Sequence, residues 1–83
     1  MVSEVVEHDR LLDRAREIAD IVNSNAPLAV RGTRLAILKG LNVPLHEAEI
    51  MAETFRERVL RTQDAQEGPK AFVEKRKPNW KCQ

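Results

Sequence analysis

The chain closes with the segment DAQEGPKAFVEKRKPNW at residues 64–80, which carries the most specific pattern in the sequence. Asp64 and Glu67 have the three-residue spacing of a capping box and predict the start of a helix. The apolar side of that helix would be formed by Ala65, Ala71 and Phe72. Pro69 falls just past the first turn, where it removes one backbone hydrogen bond and predicts a kink. We expect residues 79–83 to be loosely held.

A first helix is predicted from the apolar residues that follow Asp9, which we interpret as its N-cap. They recur at the spacing of one helical face, and they are Leu11, Leu12, Ala15, Ile18, Ala19 and Val22. The helix is expected to end near residues 23–25, where Asn and Ser side chains compete for backbone hydrogen bonds.

Two prolines introduce a second and a third helix. Pro27 and Pro44 both suit a first helical turn, because the missing N–H has no intrahelical partner there. The second helix is apolar over much of its circumference and should end at Lys39 and Gly40, a basic residue followed by one that permits positive φ. The third has acids toward its start and bases toward its end, as the helix macrodipole favours. Its apolar stripe is Leu45, Ala48, Met51 or Ala52, Phe55 and Val59.

Composition supports an all-α fold in one small domain, residues 1–83. The chain is 42% hydrophobic and 33% charged, with three glycines and no tyrosine, and the helix-favouring residues dominate. Val2, Val5 and Val6 have no second strand with which to pair, so we expect a frayed end there. A chain of this size buries about 60–65% of the surface that its unfolded form exposes, so a partner or an oligomer is expected to add stability.

Charge and hydropathy exclude several classes of protein. The formal net charge of +1 is too small for a strong field toward nucleic acid or a membrane. The apolar runs are only a few residues long, far below the roughly 20 residues that span a bilayer. Residues 1–4 include an early acid and no apolar core segment, which does not fit a signal or transit peptide. We therefore expect a cytoplasmic protein.

No metal or catalytic site is predicted. The single cysteine, Cys82, lies one residue from the end, and together with His8 and His46 it gives no zinc-ligand spacing. The sequence contains no phosphate-binding glycine loop and no nucleophile beside a base. The acids of the third helix alternate with apolar positions, and we interpret them as its solvated face.

Two groups of basic residues are candidate binding surfaces. Arg31, Arg34 and Lys39 share one side of the second helix, but that side lacks the Asn, Gln and Ser residues with which recognition helices read bases. Between residues 68 and 83, five bases accompany a single acid. The bases are Lys70, Lys75, Arg76, Lys77 and Lys81. They form either a solvated basic end or a site for an anionic ligand.

The closing segment resembles that of the crotonase, or enoyl-CoA hydratase/isomerase, family. The specific part of the pattern is Asp64-Ala65-x-Glu67-Gly68-x-x-Ala71-Phe72-x-Glu74-Lys75-Arg76-x-Pro78-x-Trp80. The rest of the chain is compatible with the family. Residues 2–6 look like its last short strand, residues 11–22 like the helix that follows, and residues 25–27 like the usual break.

The resemblance implies that the chain is the C-terminal trimerisation segment of a larger enzyme. In the family, an N-terminal spiral domain carries the oxyanion hole, formed by two backbone N–H groups, and usually one or two catalytic Glu residues. This chain shows neither, so it is expected to be inactive without the missing N-terminal catalytic domain. The family's C-terminal helices cover the active site and form trimers, which often pair into hexamers.

The resemblance also implies a ligand contact. The family's final helix commonly directs an aromatic and a basic residue toward the coenzyme A of a bound substrate, and these match Phe72 and Lys75. Phe72 would then pack near the adenine or the acyl end, and Lys75 would contact phosphate. A Phe at helical spacing is equally typical of a core residue. No cofactor is implied beyond the coenzyme A thioester, which is the substrate.

Two functions from different classes follow. The first is the oligomer-forming, active-site-covering segment of an enoyl-CoA hydratase-like lyase of fatty acid metabolism, whose reaction adds water to a 2-enoyl thioester. Isomerases, other hydrolases and decarboxylases share the scaffold, so the reaction is not fixed by the fold. The alternative is a self-standing helical module that binds a partner helix or nucleic acid through its second helix.

Overall fold

The computed structural model describes residues 2–83 and is entirely helical in its regular structure. A 3-10 turn, His8–Arg10, leads into α1 (Leu11–Asn23), α2 (Pro27–Gly40), α3 (Leu45–Leu60) and α4 (Gln63–Val73). The predicted all-α fold, with three longer helices and a short C-terminal one, is confirmed. None of the helices within residues 2–83 is long and apolar enough to cross a membrane.

The segment before the first helix forms no strand. No other part of residues 2–83 is a strand either, so the backbone of residues 2–6 has nothing with which to form a ladder. The Glu4 carboxylate instead accepts hydrogen bonds from Arg14 Nε, at 3.0 and 3.1 Å, which places this segment beside α1. The hydrogen bond to Glu17 on the same helix, followed by the contacts with Glu4, holds the pKa of Arg14 above its usual range.

The helix starts differ in detail from those predicted. Asp9 is not the N-cap of α1, because the backbone already turns at His8 and Arg10 takes the N-cap position without a side-chain cap. Pro27 is the first residue of α2, as predicted. Pro44 precedes α3 as its N-cap residue, one position earlier than expected.

Small residues let α2 and α3 pack closely as an antiparallel pair. A Cβ placed on Gly32 would lie 3.2 Å from Val59 Cγ2, and one on Gly40 would lie 3.2 Å from Ala48 Cβ. Gly40 ends α2 as predicted, but not by adopting positive φ, which no glycine in residues 2–83 does. Its position is explained instead by close helix approach, since a side chain at Gly40 would push Ala48 away.

The remaining helices form an open arrangement. The structure measures 43 × 40 × 18 Å along its principal axes. Its Cα radius of gyration is 15.9 Å, against about 12 Å for a compact domain of this length. Within residues 2–83, only Ala71 and Asp64 are buried. Large apolar side chains are correspondingly exposed on every helix, among them Leu12, Ile21, Ile37, Leu38, Leu45 and Phe72.

Candidate functional site

The start of α4 is capped by Thr62 and not by Asp64. Thr62 Oγ1 accepts a hydrogen bond from the Ala65 N–H at 3.3 Å and donates one to the Val59 carbonyl at 2.6 Å. The predicted capping box is therefore wrong. Its two acids lie inside the helix, which begins at Gln63, and both bind the chain that follows α4.

Asp64 fastens the last residues of the chain. Its carboxylate accepts hydrogen bonds from the backbone N–H of Lys81 at 2.8 Å and of Cys82 at 2.9 Å. Its own N–H donates to the Gln83 carbonyl at 3.0 Å. The side chain is buried by this contact, with 3% of the residue exposed. The prediction that residues 79–83 are loosely held is therefore wrong. The Asp64 carboxylate on α4 binds their backbone.

Glu67 forms the second fastening. Its two carboxylate oxygens accept from Arg76 Nη1 at 2.5 Å and Nη2 at 3.1 Å, and Oε1 also accepts from the Asn79 N–H at 2.9 Å. Arg76 Nε donates to Glu74 at 2.5 Å. The Arg76 hydrogen bonds, followed by the Asn79 N–H, lower the pKa of Glu67 to about 2. The carboxylates of Glu67 and Glu74 in turn raise the pKa of Arg76.

Trp80 joins the C-terminal segment to both α1 and α4. Its ring lies over Gly68, where an added Cβ would come within 3.3 Å of Trp80 Cη2. Its indole N–H donates to the Ser24 carbonyl, just past α1, at 3.0 Å. The glycine at position 68 thus allows the close approach of the aromatic ring.

A Schellman motif ends α4. The Arg76 N–H donates to the Ala71 carbonyl at 3.0 Å and the Lys75 N–H to the Phe72 carbonyl at 3.2 Å, which is the bond pair of that motif. The position after the C-cap is commonly glycine, because it requires a left-handed backbone. Here it is occupied by Lys75, with φ of 52°.

The two predicted ligand residues lie at this helix end. Phe72 is 85% exposed, so the interpretation of Phe72 as part of this chain's own core is wrong, and Ala71 is the buried residue of that turn. Lys75 is exposed and forms no ion pair with residues 2–83. Pro69 lies within α4, which continues past it to Val73.

The basic side of α2 is partly occupied. The ammonium of Lys39 lies 5.8 Å from the centroid of the Phe55 ring, and the guanidinium carbon of Arg58 lies 6.0 Å from the same centroid. Both distances fit cation–π contacts. No group of acids, histidines and cysteine within residues 2–83 is arranged to hold a metal ion.

An uncovered apolar surface surrounds Ile37. This side chain is 59% exposed and borders three hollows, of about 420, 560 and 320 Å³. Their other apolar walls include Val22, Ala36, Leu38, Leu41, Phe55 and Val59. The α2–α3 pair therefore leaves a broad apolar surface without a partner among residues 2–83.

Comparison with known proteins identifies the family. All of residues 1–83 match the profile of the family described as Enoyl-CoA hydratase/isomerase. The chain belongs to this family. An enoyl-CoA hydratase/isomerase crystal structure from Mycobacterium paratuberculosis is 86% identical, with a TM-score of 0.87 over 99% of this chain and 32% of that one. An enoyl-CoA hydratase structure from Bacillus anthracis is 42% identical, with a TM-score of 0.89 over 95% of this chain and 31% of that one.

Curated relatives give the same relation. Carnitinyl-CoA dehydratase of Proteus mirabilis is 36% identical over 85 residues, which are 98% of this chain and 33% of that protein. An enoyl-CoA hydratase of Mycobacterium tuberculosis is 36% identical over 80 residues, or 96% and 30%. This enoyl-CoA hydratase/isomerase chain thus spans about a third of the length of the relatives that it matches.

Proposed function

We propose that this chain is the oligomer-forming, active-site-covering C-terminal segment of a cytoplasmic enzyme that hydrates 2-enoyl-CoA thioesters. The observation that carries the proposal is the amount of exposed surface. The chain exposes 7344 Å², about 2,300 Å² more than the roughly 5,000 Å² expected for a compact chain of its mass. One partner in a standard interface contributes only about 800 Å², so the excess is of the size that obligate assembly covers.

Two kinds of partner would cover this surface. The N-terminal catalytic domain would pack on part of it, and neighbouring copies in a trimer or a dimer of trimers would pack on the rest. Exposed apolar side chains lie around Ile37 and along α1, and apolar side chains also form the buried centre of an obligate interface. The oxyanion hole and the chemistry are proposed to lie in the N-terminal domain.

The proposed reaction is consistent with the relatives. A hydratase and a dehydratase are among the proteins that this chain resembles over almost its whole length. In such a reaction an oxyanion hole stabilises the enolate of the thioester while carboxylates transfer the protons of water. Fatty acid metabolism is the corresponding proposed setting.

The coenzyme A part of the substrate is proposed to contact the end of α4. Phe72 and Lys75 are both exposed there, and Arg76 is already bound by two carboxylates. The unpaired Lys75 ammonium is therefore better placed than Arg76 to bind a phosphate. The exposed Phe72 ring offers an apolar face to the adenine or the acyl end.

Lys75→Ala in the full-length enzyme tests this contact. A phosphate contact remote from the thioester acts about equally in the ground and transition states, so KM should rise while kcat stays nearly constant. We expect the free energy of binding the coenzyme A ester to weaken by about 0.5–1.5 kcal/mol, and this loss should become smaller with added salt. A truncated pantetheine ester, which lacks the nucleotide, should show no change.

Lys77→Ala is the matched control, since it removes a neighbouring exposed base outside the family pattern. It should leave both KM values unchanged. Phe72→Ala should raise KM without unfolding the protein, because the ring is exposed. Equal increases for the full and truncated esters with Lys75→Ala would contradict the phosphate contact, and the basic end would then be a solvated one.

A further inference from the structure

Lys75 is held in a backbone conformation that its side chain disfavours. Its φ is 52°, in the left-handed region where a Cβ crowds the following carbonyl oxygen. Such a residue persists only where the surrounding structure fixes it, and such residues concentrate at functional sites. Contacts on both sides of Lys75 stabilise this backbone conformation.

The residues before and after Lys75 form an ion pair with each other. Glu74 precedes it and Arg76 follows it, and their side chains are paired through Arg76 Nε at 2.5 Å. The same guanidinium binds both oxygens of Glu67, back on α4, and Nη1 also donates to the Lys77 carbonyl at 3.2 Å. The Arg76 guanidinium is thus bound on one side by Glu67 of α4 and on the other by the more exposed Glu74.

Within the fixed turn, the Lys75 ammonium has no ion-pair partner among residues 2–83. Arg76 is committed to three hydrogen bonds with carboxylates and one with a carbonyl, so its planar guanidinium is not available for a ligand. Lys75 lies between the two paired residues, so the arrangement places a structural cation beside one without an ion-pair partner in that range.

We propose that the cluster of Glu67, Glu74 and Arg76 is a positioning device that fixes the backbone of Lys75 and so determines where its ammonium meets an anionic ligand. The inference rests on the proposed coenzyme A contact of Lys75. The three cluster residues do not touch the ligand. They act by restricting the directions in which the lysine extends, which reduces the conformational entropy lost on binding.

A double-mutant cycle in the full-length enzyme tests the proposal. Arg76→Gln should raise KM for a coenzyme A ester about twofold to fivefold, less than the loss of the lysine itself, and leave kcat and the pantetheine ester unchanged. In a Lys75→Ala background, Arg76→Gln should have no further effect on KM, because no ammonium remains to be positioned. Full additivity would show that Arg76 acts independently of Lys75 and would overturn the proposal.

Two further variants complete the test. Glu74→Gln removes only the outer, exposed half of the cluster and is the variant to use if Arg76→Gln does not fold. It should raise KM in the same substrate-selective way. Arg56→Gln breaks an exposed ion pair of the same kind with Glu53 on α3 and should leave KM unchanged.

The outcomes separate the two proposals. No change in KM with Lys75→Ala would remove the coenzyme A contact and the positioning role with it. A selective rise with Lys75→Ala, but none with Arg76→Gln or Glu74→Gln, would leave the contact standing and overturn the positioning role alone.

Discussion

The indole N–H of Trp80 donates a hydrogen bond to the backbone carbonyl of Ser24, at 3.0 Å across 56 residues of sequence. The bond joins the end of α1 to the C-terminal segment, while the ring covers Gly68 on α4. The family pattern at the end of the chain therefore consists largely of residues that bind the C-terminal segment to the rest of the fold. Asp64 and Glu67 hold the segment to α4, and Trp80 also joins it to the end of α1.

Trp80→Phe should weaken this connection by about 0.5–1.5 kcal/mol, because the hydrogen bond to Ser24 is lost while a smaller aromatic ring remains. Trp80→Ala should cost more, about 1–3 kcal/mol, since the half-buried ring also stops covering Gly68. Urea unfolding of the 83-residue chain followed by circular dichroism gives both values. Equal free energies of unfolding for the two variants would show that the ring contributes nothing beyond its N–H.

The helices could be predicted because their signals are local. The apolar spacing after Leu11 and the proline at position 27 depend only on near neighbours in sequence, and both predicted elements are present. The roles of Asp64 and Glu67 could not be predicted in this way. Their partners, residues 76–82, are brought to them only when the chain folds back along α4.

The errors at Asp64 and Gly40 have one physical origin. A local rule assigned each residue its commonest use, a helix cap for Asp64 and a positive φ for Gly40. Tertiary contacts decide otherwise, since Asp64 binds the C-terminal segment and a side chain at Gly40 would push Ala48 away. The sequence left Phe72 open between a core position and a ligand contact, and the buried side of its turn is formed by Ala71. The coenzyme A contact of Phe72 and Lys75 stays a prediction.

Gly32→Val should destabilise the α2–α3 pair by about 1–3 kcal/mol, because even its Cβ would lie 3.2 Å from Val59 Cγ2 and force the helices apart. Arg31→Val is the control, since it introduces the same β-branched residue at an adjacent exposed position of the same helix. Urea unfolding of both variants measures the difference. A loss at Gly32 no larger than that at Arg31 would contradict the close contact with Val59, because valine is a better helix former than glycine and a worse one than arginine.

Acid should loosen the C-terminal segment through Glu67. The pKa of this carboxyl is depressed in the folded chain to about 2, below the roughly 4.3 of an unperturbed Glu. Its contribution to stability is therefore present above about pH 4.3 and is lost as the pH falls toward 2. The melting temperature of the native chain should fall toward that of Glu67→Gln over this range. A constant difference between the two from pH 6 to pH 2 would contradict the assignment.

The isolated chain should self-associate. Its surface of 7344 Å² includes exposed apolar side chains on every helix, and uncovered apolar patches of this extent promote association in water. Sedimentation velocity at micromolar concentrations measures the assembly, and Ile37→Glu should weaken it by placing a charge where three hollows meet. Monomeric behaviour at high micromolar concentration with a sharp cooperative melt would count against this expectation.

Lys75→Gly should make the chain more stable than Lys75→Ala by about 0.5–1 kcal/mol. Removing the Cβ relieves about 1–2 kcal/mol of left-handed strain, which outweighs the roughly 0.4–1 kcal/mol by which glycine favours the unfolded chain. Lys70 provides the control because it lies within α4, where glycine is about 1 kcal/mol worse than alanine. The order of the Gly and Ala variants in urea unfolding should therefore reverse between positions 75 and 70. The same order at both positions would show that residue 75 is not held in the left-handed conformation on which its proposed presentation to the ligand depends.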